Sequence, residues 1–156
     1  MFRTCRVCVV SQDVLFIYED FTLRQTLEKW SNQRLATIPV LRRNGEYVGT
    51  ITEGDILWGI KNLHGLDLDS SEDVPISSFP RRRDYKAVPV TTDMRALLNA
   101  AVDQNFVPVV DDRNVFIGMV RRTAILQYVT EHMEDDRHGK APLPTARRSV
   151  RQSEFA

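Results

Sequence analysis

The chain has 156 residues, 42% hydrophobic and 27% charged, the balance of an ordinary soluble globular protein long enough to bury a core. Its 21 basic and 21 acidic residues cancel, so no overall field would draw it to nucleic acid or to an anionic membrane surface. No run approaches the roughly 18 apolar residues of a membrane span, and the N-terminus lacks a signal-peptide pattern, so we expect a cytoplasmic protein.

The N-terminal segment contains the only two cysteines, Cys5 and Cys8, in a Cys-x-x-Cys spacing. Such a spacing is that of half a zinc site or of a redox pair, but two further ligands are missing nearby. Val7, Val9 and Val10 favour a strand, in which residues three apart point to opposite faces. We therefore predict a short strand with two reduced structural cysteines and no metal site.

Residues 12–64 form the first of two similar units, with the predicted order β-α-β-β-α. A β-rich run over residues 14–18 leads to Thr22 and Gln25, which have the spacing of a helix capping box. Apolar residues at helical spacing follow. Two β-branched strands then flank an Asn44-Gly45 turn, and a second helix is predicted from about residue 53 to residue 64.

The same order returns over residues 86–133, and this repeat determines the predicted fold. Residues 39–57 align without a gap on residues 108–126, 69 positions further along, and the turn residue Gly45 matches Asn114. Glycine and asparagine best tolerate a left-handed backbone. One copy is too small to bury both faces of its sheet. We therefore predict an α/β (α+β) fold of two repeats packed with pseudo-twofold symmetry.

The segments outside the two copies are polar. Residues 65–85 are rich in Asp, Ser and Pro and are predicted to be a linker, whose run Arg81-Arg82-Arg83 is either solvated surface or a phosphate contact. After residue 133 the helical pattern stops, and residues 134–156 are predicted to be a disordered tail. The basic residues of this tail lack the interleaved aromatic residues of a nucleic-acid surface, so no nucleic-acid partner is predicted.

The motif Gly49-x-x-Thr52-x-x-Asp55, preceded by an apolar-Pro-Val strand and an Asn-Gly turn, resembles the CBS repeat. Two such repeats over about residues 12–130 resemble a Bateman module, and the segments TITEGDILW and NFVPVVDDRNVFIGMV look like those of stand-alone bacterial CBS-pair proteins, in part like a cyclic-di-AMP-binding one. The resemblance implies a regulatory module that binds an adenosine-containing ligand (AMP, ADP, ATP, cyclic di-AMP or S-adenosylmethionine) and signals to an unidentified partner protein. The sequence contains no nucleophile–base pair, His-rich metal spacing or Gly-rich phosphate loop, so we expect no enzyme and no cofactor.

Two clefts between the copies follow from this resemblance. In the first, Thr52 and Asp55 would bind ribose and phosphate, and the remaining wall would consist of Lys86, Ala87, Asn105, Phe106 and Val107. The pair Thr52 and Asp55 is also what a helix N-terminus requires, and the cap and the ribose acceptor can be the same residues. Trp58 is better explained as core or dimer surface than as part of a ligand cage.

The second cleft departs from the family pattern. Its Thr and Asp positions hold Arg121 and Ala124, and Arg121 and Arg122 offer forked donors suited to phosphate. Its other wall would consist of Asp13, Val14, Leu15, Leu35, Ala36 and Thr37. This cleft either takes a more anionic ligand, such as cyclic di-AMP, or stays empty.

The resemblance also implies a homodimer, formed through apolar helix faces that the two copies leave uncovered. The residues expected on these faces are Ile56, Leu57, Ile60, Ile125, Tyr128 and Val129. An alternative function is a ligand-free protein–protein interaction or dimerisation module, which the altered motif at residues 121–124 favours.

Overall fold

The structure is a computed structural model that describes residues 8–10, 14–31, 33, 35–62, 70 and 72–135. Its elements in chain order are β1 (Cys8–Val10), β2 (Ile17–Tyr18), α1 (Leu23–Trp30), β3 (Thr37–Leu41), β4 (Tyr47–Thr52), α2 (Glu53–Asn62), a 3-10 turn (Ile76–Ser78), β5 (Val88–Pro89), α3 (Met94–Asp103), β6 (Phe106–Val110), β7 (Phe116–Arg121) and α4 (Arg122–Asp135). The predicted order β-α-β-β-α, present twice, is confirmed. The first strand of each copy is only two residues long, shorter than predicted.

Some predictions reach beyond these residues. Helix α4 continues to Asp135, two residues into the segment predicted to be tail, and residues 136–156 lie outside the described part. The predicted end of the second helix at residue 64, and also Cys5 and Asp13, lie outside it as well. No helix in the described ranges is long and apolar enough to cross a bilayer.

The strands form two sheets, one for each copy. The first has the order β2-β3-β4, and the second has the order β1-β7-β6-β5. Strand β1, predicted from its valines, pairs antiparallel with β7, so it extends the sheet of the second copy although it precedes the first in the chain. In both copies the short first strand (β2 or β5) runs parallel to the strand that follows it (β3 or β6). That strand then pairs antiparallel with the last strand of the copy (β4 or β7).

Local sequence signals explain where these elements begin and turn. Thr22 and Gln25 form the predicted capping box at the start of α1, each side chain accepting a hydrogen bond from the other residue's backbone N–H. Gly45 and Asn114 adopt positive φ values of 87° and 63° in the two hairpin turns. The match of a glycine to an asparagine in the repeat is therefore confirmed as a shared left-handed turn.

The two copies pack against each other through their hairpins, in a reciprocal arrangement. The backbone N–H of Tyr47 donates to the carbonyl of Asn114, and that of Phe116 donates to the carbonyl of Gly45, each at 2.9 Å. The two rings stack with centroids 6.2 Å apart. Around them lies a buried cluster with members from both copies: Val14, Leu41, Tyr47, Tyr85, Phe106, Val110, Phe116 and Met119. The predicted pseudo-twofold packing is confirmed, and side chains fill the middle of the seam.

Each copy also has a core between its sheet and its helices. Two of the residues expected on the dimer face belong to these cores, so that prediction is wrong for them. Ile56 and Ile125 are buried in the two cores, with 6% and 0% of their surface exposed, so neither presents a substantial apolar surface to a partner. The next residue of each helix, Leu57 or Leu126, points outward instead and is 65% or 52% exposed. Successive residues of a helix are about 100° apart, so one step along the chain moves a side chain from core to surface.

Candidate functional site

The N-terminus of α2 carries the motif that the sequence indicates as a ligand site. The Thr52 hydroxyl accepts a hydrogen bond from the backbone N–H of Asp55 at 3.0 Å, and the Asp55 carboxylate accepts one from the N–H of Thr52 at 2.9 Å. The capping interpretation of the pair is therefore confirmed. The second Asp55 oxygen accepts from the backbone N–H of Arg82 at 3.0 Å, and the residue is 4% exposed. Asp55 thus fixes the predicted linker to the helix start.

The linker is held to β4 by further hydrogen bonds. Thr50 is fully buried; its hydroxyl donates to the carbonyl of Arg83 at 3.3 Å and accepts from the N–H of Tyr85 at 3.0 Å. Its N–H donates to the Asp84 carboxylate at 3.0 Å. That carboxylate lies directly against Gly49, where a Cβ atom would be 2.2 Å from it. A side chain at the motif glycine would therefore displace the Asp84 carboxylate from the Thr50 N–H.

Apolar residues complete the docking of the linker. The backbone of the segment pairs with the start of α1, where Leu23 N–H donates to Val74 O at 2.8 Å. Ile76 and Phe79 are each 3% exposed and belong to the core of the first copy. The Phe79 ring rests on α2 at Gly59. The predicted linker is therefore anchored to the first copy through Ile76 and Phe79, while Pro80 and the three arginines after it remain exposed.

The linker and α2 together line an open cleft of about 640 Å³. It is lined by Thr52, Gly54, Asp55, Trp58, Asn62, Pro80, Arg82 and Arg83. A volume of this size is typical of small-molecule sites. The wall includes a half-exposed indole, a hydroxyl, a buried carboxylate and two guanidinium groups, which are groups able to contact an aromatic base, a ribose and a phosphate.

The other residues predicted for the first cleft do not line this one. Lys86 is exposed, and its backbone exchanges hydrogen bonds with the buried Gln104 amide, at 2.8 Å and 3.2 Å. Ala87 packs against the seam cluster, and the buried Phe106 ring makes an edge contact with Tyr85 at 5.0 Å between centroids. Val107 is fully buried in the core of the second copy.

The residues predicted for the second cleft divide between the two copies. Leu15 packs against the first copy's core, and Thr37 is the strand partner of Thr52. The carbonyl of Ala36 accepts from the N–H of Glu53 at 3.2 Å. Ala36 and Thr37 therefore lie beside the Thr52 motif.

Arg122 is tied to its own copy. Its guanidinium donates to the carbonyl of Gln104 at 3.1 Å and to the Asn105 side chain, whose backbone carbonyl also accepts from the Arg122 N–H. Arg121 is exposed at the end of β7, with no ion pair to any side chain in the described ranges. The structure thus brings Asn105 and Phe106 next to Arg121 and Arg122.

The sequence leaves the arginine run as either solvated surface or a phosphate contact and does not predict that the linker forms part of the cleft. In the structure, Pro80, Arg82 and Arg83 form one wall. A signal was present, because Ile76 and Phe79 are large apolar residues within a polar stretch, and such residues usually mark a segment that packs against a core.

Comparisons with known proteins agree with this architecture. A family model, that of the CBS domain, matches residues 7–62 and 76–131. Among solved structures, CbpB from Streptococcus agalactiae superimposes with a TM-score of 0.73 at 19% identity, covering 92% of this chain and 89% of that one. CbpB from Listeria monocytogenes in complex with c-di-AMP gives 0.70 at 22% identity, with 83% and 96% covered.

This chain is also similar to a short part of a much longer protein. The A-adding tRNA nucleotidyltransferase of Aquifex aeolicus is 31% identical over 117 residues, which is 74% of this chain but 13% of that protein. At the identities found, the solved structures establish a shared fold.

Proposed function

Because the chain belongs to the CBS domain family, we propose that it is a regulatory module that binds an adenine nucleotide and passes the signal to a partner protein without catalysing a reaction. The proposed ligand is AMP, ADP, ATP or cyclic di-AMP. The observation that carries the proposal is the cleft of about 640 Å³ at Thr52 and Asp55, the positions at which the CBS motif predicts ligand contact. The cytoplasm is the proposed location.

The hydrogen bonds of Asp55 are compatible with this function. Each carboxylate oxygen has one backbone donor, but an ionised carboxylate offers about four acceptor positions. Asp55 is 4% exposed and lines the cleft, and we propose that its remaining acceptor positions bind ribose hydroxyls. The Trp58 indole, 51% exposed, is available as an apolar surface for the base.

The Listeria relative solved with c-di-AMP supports a nucleotide as the ligand class. For the second cleft we propose that Arg121 contributes to binding a more anionic ligand, because its guanidinium is exposed. Arg122 already donates to Gln104 and Asn105, so its proposed role is to position that loop.

Calorimetric titration with AMP, ADP, ATP, S-adenosylmethionine and cyclic di-AMP tests the proposal. We expect saturable binding of at least one adenine nucleotide in the micromolar range, and its loss at this cleft in Asp55→Asn. Asp93→Asn is the matched control, since Asp93 caps α3 by accepting from the N–H of Ala96 at 2.8 Å and lies away from the cleft lining. If none of the compounds binds at millimolar concentration, the proposed function is wrong.

The alternative is a ligand-free interaction or dimerisation module. An apolar groove of about 530 Å³ between α1 and α2 favours it. Its lining residues are Leu27, Trp30, Ser31, Gln33, Glu53, Ile56, Leu57 and Ile60. We propose that Leu57 and Leu126, which occupy equivalent positions in the two copies, contribute to a homodimer face. Sedimentation should then show a dimer that Leu57→Glu with Leu126→Glu converts to monomer, and a wild-type chain that stays monomeric at high concentration excludes this assembly.

A further inference from the structure

The three consecutive arginines of the linker differ in their surroundings. The Arg81 guanidinium lies 3.4 Å from the Asp84 carboxylate, and that of Arg83 lies 3.7 Å from the carboxylate of Asp103. Arg82 has no carboxylate within ion-pair distance among the residues with described side chains, yet it lines the cleft of Thr52 and Asp55. Among the side chains that the structure describes, the Arg82 guanidinium in the cleft lining therefore has no carboxylate at ion-pair distance.

The main chain at Arg82 is fixed on both sides. Its own N–H donates to the buried Asp55 carboxylate at 3.0 Å, and the next residue's carbonyl accepts from the Thr50 hydroxyl at 3.3 Å. The Asp84 carboxylate then accepts from the Thr50 N–H. Because the backbone is already ordered, a ligand contacting this side chain has to immobilise only the side chain itself, which lowers the entropic cost of binding.

From this arrangement we infer that Arg82 is the specificity-determining residue of the cleft, which selects adenosine ligands that carry a phosphate over those that do not. The inference rests on the proposed function, in which the Asp55 carboxylate accepts hydrogen bonds from the ribose. A guanidinium is always charged and binds phosphate oxygens through two parallel N–H donors. Asp55, the carboxylate in the lining, accepts from backbone N–H groups with both oxygens and forms no ion pair with the Arg82 guanidinium. The Arg82 fork is therefore available to a phosphate attached to the ribose.

The test compares the dissociation constants of adenosine, AMP and ADP, measured by calorimetry for the full chain and three variants. Arg82→Gln removes the charge but keeps the backbone N–H that Asp55 accepts. Arg82→Lys keeps the charge without the fork. Arg81→Gln is the matched control, because it removes the same charge from a neighbouring residue outside the cleft lining.

For the wild-type chain we expect AMP and ADP to bind more tightly than adenosine. Arg82→Gln should weaken AMP and ADP binding by about tenfold to a hundredfold, the range of a lost hydrogen bond to a charged group, and leave adenosine unchanged. Arg82→Lys should fall between wild type and Arg82→Gln, and Arg81→Gln should change AMP affinity by less than about threefold, as expected of an exposed charge.

Several results would overturn the inference. Equal binding of adenosine and AMP by the wild-type chain refutes it while the proposed function stands. An equal loss for adenosine and AMP in Arg82→Gln assigns the residue a structural role, and equal effects of Arg82→Gln and Arg81→Gln indicate general electrostatics. If neither adenosine nor any nucleotide binds the wild-type chain, both the proposed function and this inference are wrong.

Discussion

Gly59 on α2 contacts Phe79 in the linker, and this contact determines whether alanine at position 59 raises or lowers the free energy of unfolding. A Cβ atom at Gly59 would lie 2.1 Å from Cδ1 and 2.7 Å from Cε1 of the Phe79 ring. The ring is 3% exposed and packed in the first copy's core, so it cannot move aside cheaply. Gly59→Ala should therefore displace the linker that forms one wall of the cleft.

Two opposing effects set the magnitude. Alanine is favoured over glycine within a helix by about 0.8–1.0 kcal/mol, and forcing a methyl group into a packed core costs about 1–3 kcal/mol. The clash outweighs the helix propensity, and we expect Gly59→Ala to lower the free energy of unfolding by about 1 kcal/mol. For a chain of this size that corresponds to a Tm lowered by about 2–4 °C.

A double-mutant cycle, measured by urea denaturation, separates the two effects. In a Phe79→Ala background the ring is absent, so Gly59→Ala should stabilise the protein by about 0.8–1.0 kcal/mol. Gly54→Ala is the control on the same helix, because its Cβ would be 3.5 Å from the Thr52 hydroxyl, an ordinary contact, and we expect no loss of stability. Stabilisation of the wild-type chain by Gly59→Ala would show that the ring does not rest on Gly59.

Three further predictions concern the seam and the linker. Asn114 has a φ of 63°, so the free energy of unfolding of Asn114→Gly should exceed that of Asn114→Ala by about 1–2 kcal/mol. Equal urea midpoints for the two variants would contradict the left-handed turn. Thr50→Val leaves the N–H of Tyr85 without its acceptor and should cost about 1–3 kcal/mol in the same assay, whereas Thr50→Ser, which keeps the hydroxyl, should cost less. Burial, and to a lesser extent the nearby Asp84 charge, raises the pKa of Tyr47 above its usual value of 10.0. Because the folded state holds this proton more tightly, its stabilising contribution is complete below about pH 10 and is lost as the pH rises further. The free energy of unfolding should decline there, and less steeply in Tyr47→Phe; an unchanged decline would refute this assignment.

The parts of the fold that the sequence predicts are those determined by local chemistry or by repetition. Thr22 and Gln25 indicate a helix start because a capping box involves only residues within one turn. Gly45 and Asn114 indicate the two turns because a left-handed residue is a local requirement. The repeat adds long-range information, since two copies of a small unit must cover each other, and the reciprocal pairing of Tyr47 and Phe116 is the result.

The parts that could not be predicted depend on contacts between distant segments. Phe79 is far from Gly59 in sequence, and no local pattern indicates that the ring packs on that helix. The pairing of Asp55 with Arg82 likewise joins a motif to a stretch that reads as a solvated connection. On α2 and α4, neighbouring positions are both apolar, so periodicity does not distinguish the buried Ile56 and Ile125 from the residues that follow them.

Strand β1 has a consequence for dissecting the molecule. Because residues at the start of the chain pair with β7, the two halves are interlocked through the backbone, and cutting between them does not yield two complete units. A fragment holding only the second half would expose the N–H and C=O groups along one side of β7. An unpaired strand edge of this kind can pair with another polypeptide, so this fragment should self-associate or exchange segments. In the uncut protein, residues 8–10 bind the backbone groups of β7.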